Sequence, residues 1–246
     1  MKPKDNKDSL GARMKSYESV PKNFLMSRTP VLIRLDGRAF HTFTKRSVIK
    51  QSLVTDPFSH VMHDCMTSTT MELCKQIQNV KLAYTQSDEI TLLLTDWDTL
   101  ETQQWFNGNI QKITSLSAAI ATNAFNAAYR QYEQIENCSK LPTFDSRVFN
   151  MPKEDVVNML VWRQQDATRN SVNMLAQYHF SHKELQGKRN NEMQDMLMLG
   201  KGVNWNDIDT WKKRGSCVVR VDGQWVIDDS IPIFTQDREY IQRFVA

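Results

Sequence analysis

The first 150 residues alternate between two kinds of apolar periodicity. Short apolar runs rich in β-branched residues predict strands at residues 31–35, 80–85, 90–95 and 144–151. Apolar residues at helical spacing predict two amphipathic helices, at residues 58–77 and 106–128. Asp56 and Pro57 are typical of a helix start, with Asp as the N-cap and Pro at the first helical position.

The predicted order is strand, helix, strand, strand, helix, strand. This is the order of a ferredoxin-like, split βαβ fold of the α+β class. We expect its two helices to cover one face of an antiparallel sheet and to leave the other face free for function.

The remainder of the chain has a different pattern. Helical spacing returns at residues 156–161 and 172–179, and Asp222-Gly223 between apolar residues predicts a hairpin at residues 218–226. We therefore expect a catalytic-type domain at residues 1–150 and a mostly helical region at residues 151–246 that ends in a hairpin.

Composition limits the class of protein. The 246 residues are 40% hydrophobic and 24% charged, which is typical of a globular protein. No apolar run approaches the length of about 18 residues that spans a bilayer, and the first ten residues lack an apolar signal core. We expect a cytoplasmic protein without a membrane partner, whose four cysteines are reduced thiols.

Charge is distributed unevenly along the chain. Residues 1–50 hold 12 basic and 4 acidic side chains, whereas residues 51–110 hold 2 basic and 8 acidic ones. This pattern fits a polyanion-binding face beside a carboxylate site that holds cations. It also fits ordinary solvated surface whose halves pair with each other.

Three carboxylates occupy places where they could do chemistry. Asp36 ends the first strand, and Asp88 and Glu89 lie at the tip of the central hairpin. In a split βαβ sheet the first strand lies beside the third, so these carboxylates should converge. Oxygen ligands suit Mg²⁺, and two such ions can clamp the oxygens of a phosphoryl transfer. The alternatives are an ordinary Asp-Gly turn and a solvated hairpin tip.

The residues after Asp36 could hold phosphate. Gly37 permits close backbone approach, successive amides can form an anion nest, and Arg38 offers a bidentate contact. No Walker-type phosphate loop is present. Lys112 on the second predicted helix could reach a triphosphate, or it is a surface lysine.

Four motifs together resemble one known family. They are Arg34-Leu35-Asp36-Gly37-Arg38-Ala39-Phe40-His41, Gln86-Ser87-Asp88-Glu89, Phe144-Asp145-Ser146-Arg147 and Trp162-Arg163-Gln164. Their order and spacing resemble the tRNA(His) guanylyltransferase family, most closely its bacterial and archaeal-type branch. The resemblance implies a polymerase palm-like catalytic domain and a nucleotidyltransferase that extends the 5′ end of tRNA in the 3′-to-5′ direction.

The resemblance also implies roles for individual residues. The catalytic residues would be Asp36, Asp88 and Glu89, and two Mg²⁺ ions would be held by Asp36, Asp88 and the carbonyl of Gly37. The nucleotide contacts would be Asp36, Gly37, Arg38, Ala39, Phe40, His41, Ser87, Asp88 and Lys112. ATP or GTP would activate the tRNA 5′-monophosphate, and the 3′-hydroxyl of an incoming nucleoside triphosphate would then attack. A homotetramer is implied as well.

One motif departs from the family pattern. Eukaryotic members have His-Ile-Asn-Asn shortly after Trp-Arg-Gln, whereas this chain has Thr168-Arg169-Asn170-Ser171. The departure favours template-dependent repair of 5′-truncated tRNA over addition of an extra G to tRNA(His). Further alternatives are a non-catalytic RNA-binding module with the same sheet and a palm-fold nucleotide cyclase that needs no RNA.

Contacts to RNA are predicted mainly from basic side chains. The candidates are Arg34, Lys45, Arg46, Arg163, Asn170, Lys188 and Arg189, together with the basic run Lys212-Lys213-Arg214. Acidic neighbours of the later ones fit a solvated mixed surface equally well.

Overall fold

The computed structural model describes residues 9–44, 56–132 and 141–245. Its centre is one six-stranded antiparallel sheet. The strands are β1 (Val31–Arg38), β2 (Val80–Gln86), β3 (Glu89–Leu94), β4 (Thr143–Asn150), β5 (Ser216–Val221) and β6 (Gln224–Asp228). Their order in the sheet is β4-β1-β3-β2-β5-β6.

Helices surround this sheet. They are α1 (Leu10–Ser19), α2 (Phe40–Thr44), α3 (His60–Gln76), α4 (Ile110–Tyr129), α5 (Lys153–His179), α6 (His182–Leu185), α7 (Asn190–Lys201), α8 (Thr210–Arg214) and α9 (Glu239–Gln242). None of those in the described ranges is both long and apolar enough to cross a bilayer.

The predicted split βαβ arrangement is confirmed. Strand β1 pairs with β3 on one side and with β4 on the other, and α3 and α4 are the two connecting helices. The predicted hairpin at residues 218–226 is present as β5 and β6. It extends the same sheet, because β5 pairs with β2. The division of the chain at residue 150 stays a prediction.

Side-chain alternation along β1 separates two hydrophobic cores. Val31, Ile33 and Leu35 point to the face that α3 and α4 cover. Leu32 points to the opposite face, where it packs with residues of α5 such as Val156 and Leu160. The expectation that this second face is free is therefore wrong, because α5 and apolar residues of the 231–245 segment pack on it. Its apolar residues need a cover, and α5 supplies one.

A second expectation also fails, at the start of α3. Asp56 does not cap this helix. The N-cap is Ser59, whose hydroxyl accepts from the amide of Met62 at 3.2 Å. Asp56 instead accepts from the amide of Phe58 and pairs with Lys212 at 2.6 Å. A short polar side chain can accept a hydrogen bond from the amide two residues later in a turn as readily as it can cap a helix. Composition alone does not distinguish these two roles.

The cysteines agree with the expected reduced state. Cys65, Cys74 and Cys217 are free and buried, and Cys138 lies outside the described residues. Burial raises the pKa of the Cys65 thiol to about 12 and raises the pKa values of the other two thiols as well. Such thiols stay protonated and chemically inert.

Candidate active site

The β2–β3 hairpin tip lies against the end of β1. The amide of Gly37 donates a hydrogen bond of 2.9 Å to the carbonyl of Asp88, and Asp36 is the direct cross-strand partner of Glu89. Burial raises the pKa of the Asp88 carboxyl, and the nearby charge of Asp36 adds to this effect. The sequence-predicted convergence of Asp36 with the hairpin tip is therefore confirmed as geometry.

Glu89 has a different environment from Asp88. Its side chain is buried and forms ion pairs with Arg34 at 2.8 Å and with Arg163 of α5 at 2.7 Å. Burial raises the pKa of the Glu89 carboxyl, whereas the two arginines oppose this rise. Arg163 also pairs with Asp166 at 2.6 Å, which extends the network along α5. The negative charge of Glu89 is thus balanced by two arginine side chains.

Asp36 and Asp88 remain uncompensated by comparison. In the described ranges no basic side chain lies within ion-pair distance of either carboxylate. Two such carboxylates beside the carbonyl end of β1 form an oxygen-only donor set, which fits Mg²⁺. The described residues contain no cluster of three or more His, Cys, Asp or Glu side chains placed to hold a metal ion. Two carboxylates with water and phosphate oxygens would still suffice for Mg²⁺.

The backbone around the carboxylates is strained. Ala39 and Ser87 adopt left-handed conformations, with φ values of 57° and 51°. A non-glycine residue in this region costs about 1–3 kcal/mol, and such strain concentrates at functional sites. Gly37 is held close to its surroundings, since a Cβ there would lie 2.3 Å from the ring of Phe40.

Phe40 anchors the turn after β1. Its ring is 2% exposed and packs against Phe125 and Phe144, with ring centroids 5.0 and 5.1 Å away. This packing fixes α2, which starts at Phe40, beside the end of β1. Phe40 thereby fixes the position of the turn after β1, where the sequence predicts nucleotide contacts.

A large cavity opens beside the hairpin tip. Its volume is about 510 Å³, which is within the size range of small-molecule sites. Its walls come from the hairpin tip, α2, the start of α3, the second half of α5 and the end of α8. Lining residues include His41, Ser87, Asp88, Asn170, Trp211 and Arg214. A nucleoside has the right size for this space.

The predicted nucleotide contacts Lys112 and Arg38 are not among the residues that line the cavity. Lys112 is exposed near the start of α4, and the opposite end of that helix holds Phe125 against Phe40. At 1.5 Å per residue, 13 residues of helix separate the two by about 20 Å. The structure therefore does not bring Lys112 to the carboxylates. Arg38 is exposed at the end of β1.

The predicted RNA contacts fall into three groups. Lys45 and Arg46 lie outside the described residues. Arg34 and Arg163 are held by Glu89, which favours an internal role for both over an RNA contact. The remaining candidates, Asn170, Lys188 and Arg189, are exposed, with Asn170 on the cavity wall.

Sequence reasoning gave no role to Asp145. This residue pairs directly with Asp36 across β1 and β4, on the side away from Glu89, and forms an ion pair of 3.1 Å with Arg147. Three carboxylates thus lie in one row across β3, β1 and β4. The motif around Asp145 is one of the four that resemble the family, and strand alternation predicts its side chain on the same face as that of Asp36.

The stacked wall of the cavity also had no signal in the sequence. The rings of His63 and Trp211 stack with centroids 4.1 Å apart. The two residues are far apart in the chain, so only the tertiary structure brings them together.

Comparison with known proteins decides the family. The family described as "tRNAHis guanylyltransferase" (Thg1) matches residues 11–152. The chain belongs to the tRNA(His) guanylyltransferase family. Its homologues are tRNA(His) guanylyltransferases, and it is therefore a nucleotidyltransferase.

Solved structures and a curated relative agree with this family. A bacterial tRNA(His) guanylyltransferase-like protein in complex with ATP is 43% identical, with a TM-score of 0.89 over 96% of this chain and 99% of that one. A bacterial tRNA(His) guanylyltransferase-like protein in complex with GTP is 39% identical, with a TM-score of 0.81 over 97% and 99%. The tRNA(His) guanylyltransferase of Saccharomyces cerevisiae is 27% identical over 77% of this chain and 82% of the yeast protein. The palm-like fold implied by the family resemblance is confirmed.

Proposed function

We propose that this member of the family is a Mg²⁺-dependent 3′-to-5′ nucleotidyltransferase that repairs tRNA lacking 5′ nucleotides, with the opposite strand of the acceptor stem as template. The observation that carries the proposal is the pair of neighbouring carboxylates Asp36 and Asp88, which have no basic partner in the described residues, and of which Asp88 lines a nucleoside-sized cavity. Similar bacterial proteins are named as complexes with ATP and with GTP, which supports nucleoside triphosphates as substrates.

Each residue of the site has a separate proposed role. Asp36, Asp88 and the Gly37 carbonyl would hold two Mg²⁺ ions, which would supply positive charge at the reacting phosphates. Ser87 and the turn after Gly37 orient the phosphates. Glu89 stays bound to its two arginines and keeps the hairpin tip fixed. Positioning and charge neutralisation are sufficient for phosphoryl transfer.

The same site serves two successive transfers. The tRNA 5′-monophosphate oxygen attacks the α-phosphate of ATP or GTP and releases pyrophosphate. The 3′-hydroxyl of the incoming nucleoside triphosphate then attacks the activated 5′-phosphate and releases the nucleoside monophosphate. Both steps are in-line displacements at phosphorus, so one pair of carboxylates serves both.

The preference for repair rests on the segment after Trp162-Arg163-Gln164. Asn170 is exposed on the cavity wall, whereas the hydroxyl of Ser171 is buried and accepts from the indole of Trp205 at 2.9 Å. Ser171 therefore serves packing and does not offer the second Asn of the eukaryotic motif. Addition of G to tRNA(His) is the second candidate function, because the curated relatives are named for it.

RNA is proposed to lie along the exposed basic side chains beyond the cavity. Lys188 and Arg189 are both exposed ahead of α7. Neutralising both should weaken tRNA binding and reduce its salt slope by about 2. Assembly into a homotetramer and a cytoplasmic location stay predictions.

A direct assay separates the two candidate functions. One substrate is a tRNA that lacks its first nucleotide, and the other is intact tRNA(His) with a 5′-monophosphate. Both receive Mg²⁺ and all four nucleoside triphosphates, and 5′ extension is followed on a sequencing gel. Changing the opposing nucleotide of the truncated tRNA should change the nucleotide that is added. Extension of intact tRNA(His) alone would identify the guanylyltransferase, and extension of neither would overturn the proposal.

A further inference from the structure

Arg214 brings an unpaired positive charge to the cavity. It ends α8 and lines the cavity together with Ser87 and Asp88. Its Nε is buried without a hydrogen-bond acceptor, and no carboxylate in the described ranges lies within ion-pair distance of its guanidinium. Burial lowers the pKa of this guanidinium.

The two neighbouring lysines do have partners. Lys212 pairs with Asp56 at 2.6 Å and with Asp209 at 3.2 Å, and Lys213 donates to the carbonyl of Asn206 at 2.5 Å. The three side chains of the basic run that sequence patterning assigned to RNA therefore have three different environments. Of the three, Arg214 is the one left without a bonded partner among the described residues.

The backbone holds Arg214 beside the hairpin tip. Ser216 pairs with Thr85, and Arg214 ends α8 two residues earlier in the chain. The hydroxyl of Tyr84 donates to the carbonyl of Arg214 at 2.7 Å. Gly215 has a φ of 80°, and a Cβ there would lie 2.4 Å from the carbonyl oxygen of Thr85. The chain is therefore pressed against β2 next to the predicted nucleotide contact.

A partly buried guanidinium without an anion is unfavourable unless a ligand supplies one. Among the described residues, the carboxylate that lines the cavity is Asp88, which the proposed function assigns to Mg²⁺. Two magnesium ions already offset the negative charges of the two carboxylates, so the ions alone do not neutralise a bound triphosphate as well. Guanidinium groups also match phosphate oxygens in bidentate geometry.

We propose that Arg214 binds the phosphate chain of the nucleoside triphosphate from the α8 side of the cavity. This inference rests on the proposed function, because it assigns a further residue to the same nucleotide site. Arg214 would take the role that the sequence suggested for Lys112, that of a cation at the triphosphate. It does so from a different part of the chain.

The test compares ATP with adenosine, which shares the base and ribose but has no phosphate. Isothermal titration calorimetry with Mg²⁺ measures both dissociation constants for the wild type, Arg214→Met, Arg214→Lys and the control Lys213→Met. The ratio of the adenosine constant to the ATP constant is the readout, because it does not depend on the folded fraction. We expect Arg214→Met to lower this ratio by about tenfold to a hundredfold, Arg214→Lys to lower it less, and Lys213→Met to leave it unchanged.

The outcomes separate this inference from the proposed function. An unchanged ratio in Arg214→Met, with ATP binding to the wild type intact, would overturn the role of Arg214 alone. Weaker tRNA binding with unchanged ATP binding would assign Arg214 to RNA and would also overturn it. A wild-type protein that binds no nucleotide would overturn both proposals.

Discussion

The Nε of Arg163 lies 2.7 Å from a carboxylate oxygen of Glu89, and this ion pair joins α5 to the strand that follows the hairpin tip. Both side chains are less than 10% exposed. Removing one member of a buried pair typically costs about 3–5 kcal/mol when the other charge is left unpaired, but Glu89 keeps Arg34 as a partner at 2.8 Å. We therefore expect Arg163→Met to lower the free energy of unfolding, measured in urea, by a smaller amount, about 1–3 kcal/mol.

A double-mutant cycle distinguishes the ion pair from general packing. Glu89→Met should cost less stability when added to Arg163→Met than when made in the wild type, with a coupling energy of about 1–3 kcal/mol. The exposed pair Lys75 and Glu72 is the matched control, and its coupling energy should be below about 0.5 kcal/mol. Strictly additive effects at Arg163 and Glu89 would contradict the network.

Asp166 links the same network to the surface. A hydrogen bond from Arg169 and the charge of Arg163 hold the pKa of the Asp166 carboxyl below its ordinary value of 3.8. Because the folded-state pKa is lowered, this carboxylate stabilises the fold above about pH 4 and loses that effect as pH falls through the folded pKa. Asp166→Asn should therefore lower stability by a constant amount at neutral pH, and the difference should shrink in acid. Urea unfolding across pH measures it, and a difference that persists to the lowest pH would argue against the ion pairs.

Asp36 and Asp88 are predicted to respond to magnesium. Asp36→Asn and Asp88→Asn should each lower 5′ extension by about a hundredfold or more, since phosphate charge loses its neutralising ions. Without magnesium, Asp88→Asn should melt no lower than the wild type, because it removes like-charge repulsion. Adding MgCl₂ should raise the melting temperature of the wild type and of the exposed-site control Asp195→Asn. An equal rise in Asp88→Asn would contradict the metal assignment.

Ser87 has a left-handed backbone conformation and is also a proposed nucleotide contact. Ser87→Gly should relieve the left-handed backbone and raise stability by up to about 1 kcal/mol. It should also weaken ATP binding, because the hydroxyl is lost. Asp222→Gly in the β5–β6 turn is the matched control, since Asp222 has a φ of 49° and no proposed contact with nucleotide. Thermal melts and calorimetry measure both effects, and equal ATP affinity in both variants would remove Ser87 from the site.

Local periodicity was sufficient to predict the four strands of the split βαβ unit and their order. Alternation and turn residues also placed Asp36 and Asp88 near each other, because β1 and β3 are neighbours in this topology. The addition of β5 to the edge of β2 could not be predicted in this way. Strands separated by 130 residues carry no local signal of their pairing.

The partners of Glu89 were hidden for the same reason. Sequence patterning grouped Glu89 with the other carboxylates and assigned Arg34 and Arg163 to RNA. The structure shows that Arg163 points from α5 to Glu89, so the apparent cluster of three carboxylates is a pair and a neutralised third. Charge compensation depends on which helix covers the sheet, and helix placement is a tertiary property.

The β5–β6 hairpin determines which strands end the sheet. Its pairing leaves β4 and β6 as the outer strands, so β1, β2 and β3 each have a neighbour on both sides. Amide exchange should consequently be slow across the strands that lead to Asp36 and Asp88 and faster along β6. A chain cut before residue 216 would turn β2 into an open edge, prone to pairing with other molecules. The C-terminal hairpin thereby protects β2, the strand that leads to the β2–β3 hairpin tip, from fraying and from aggregation.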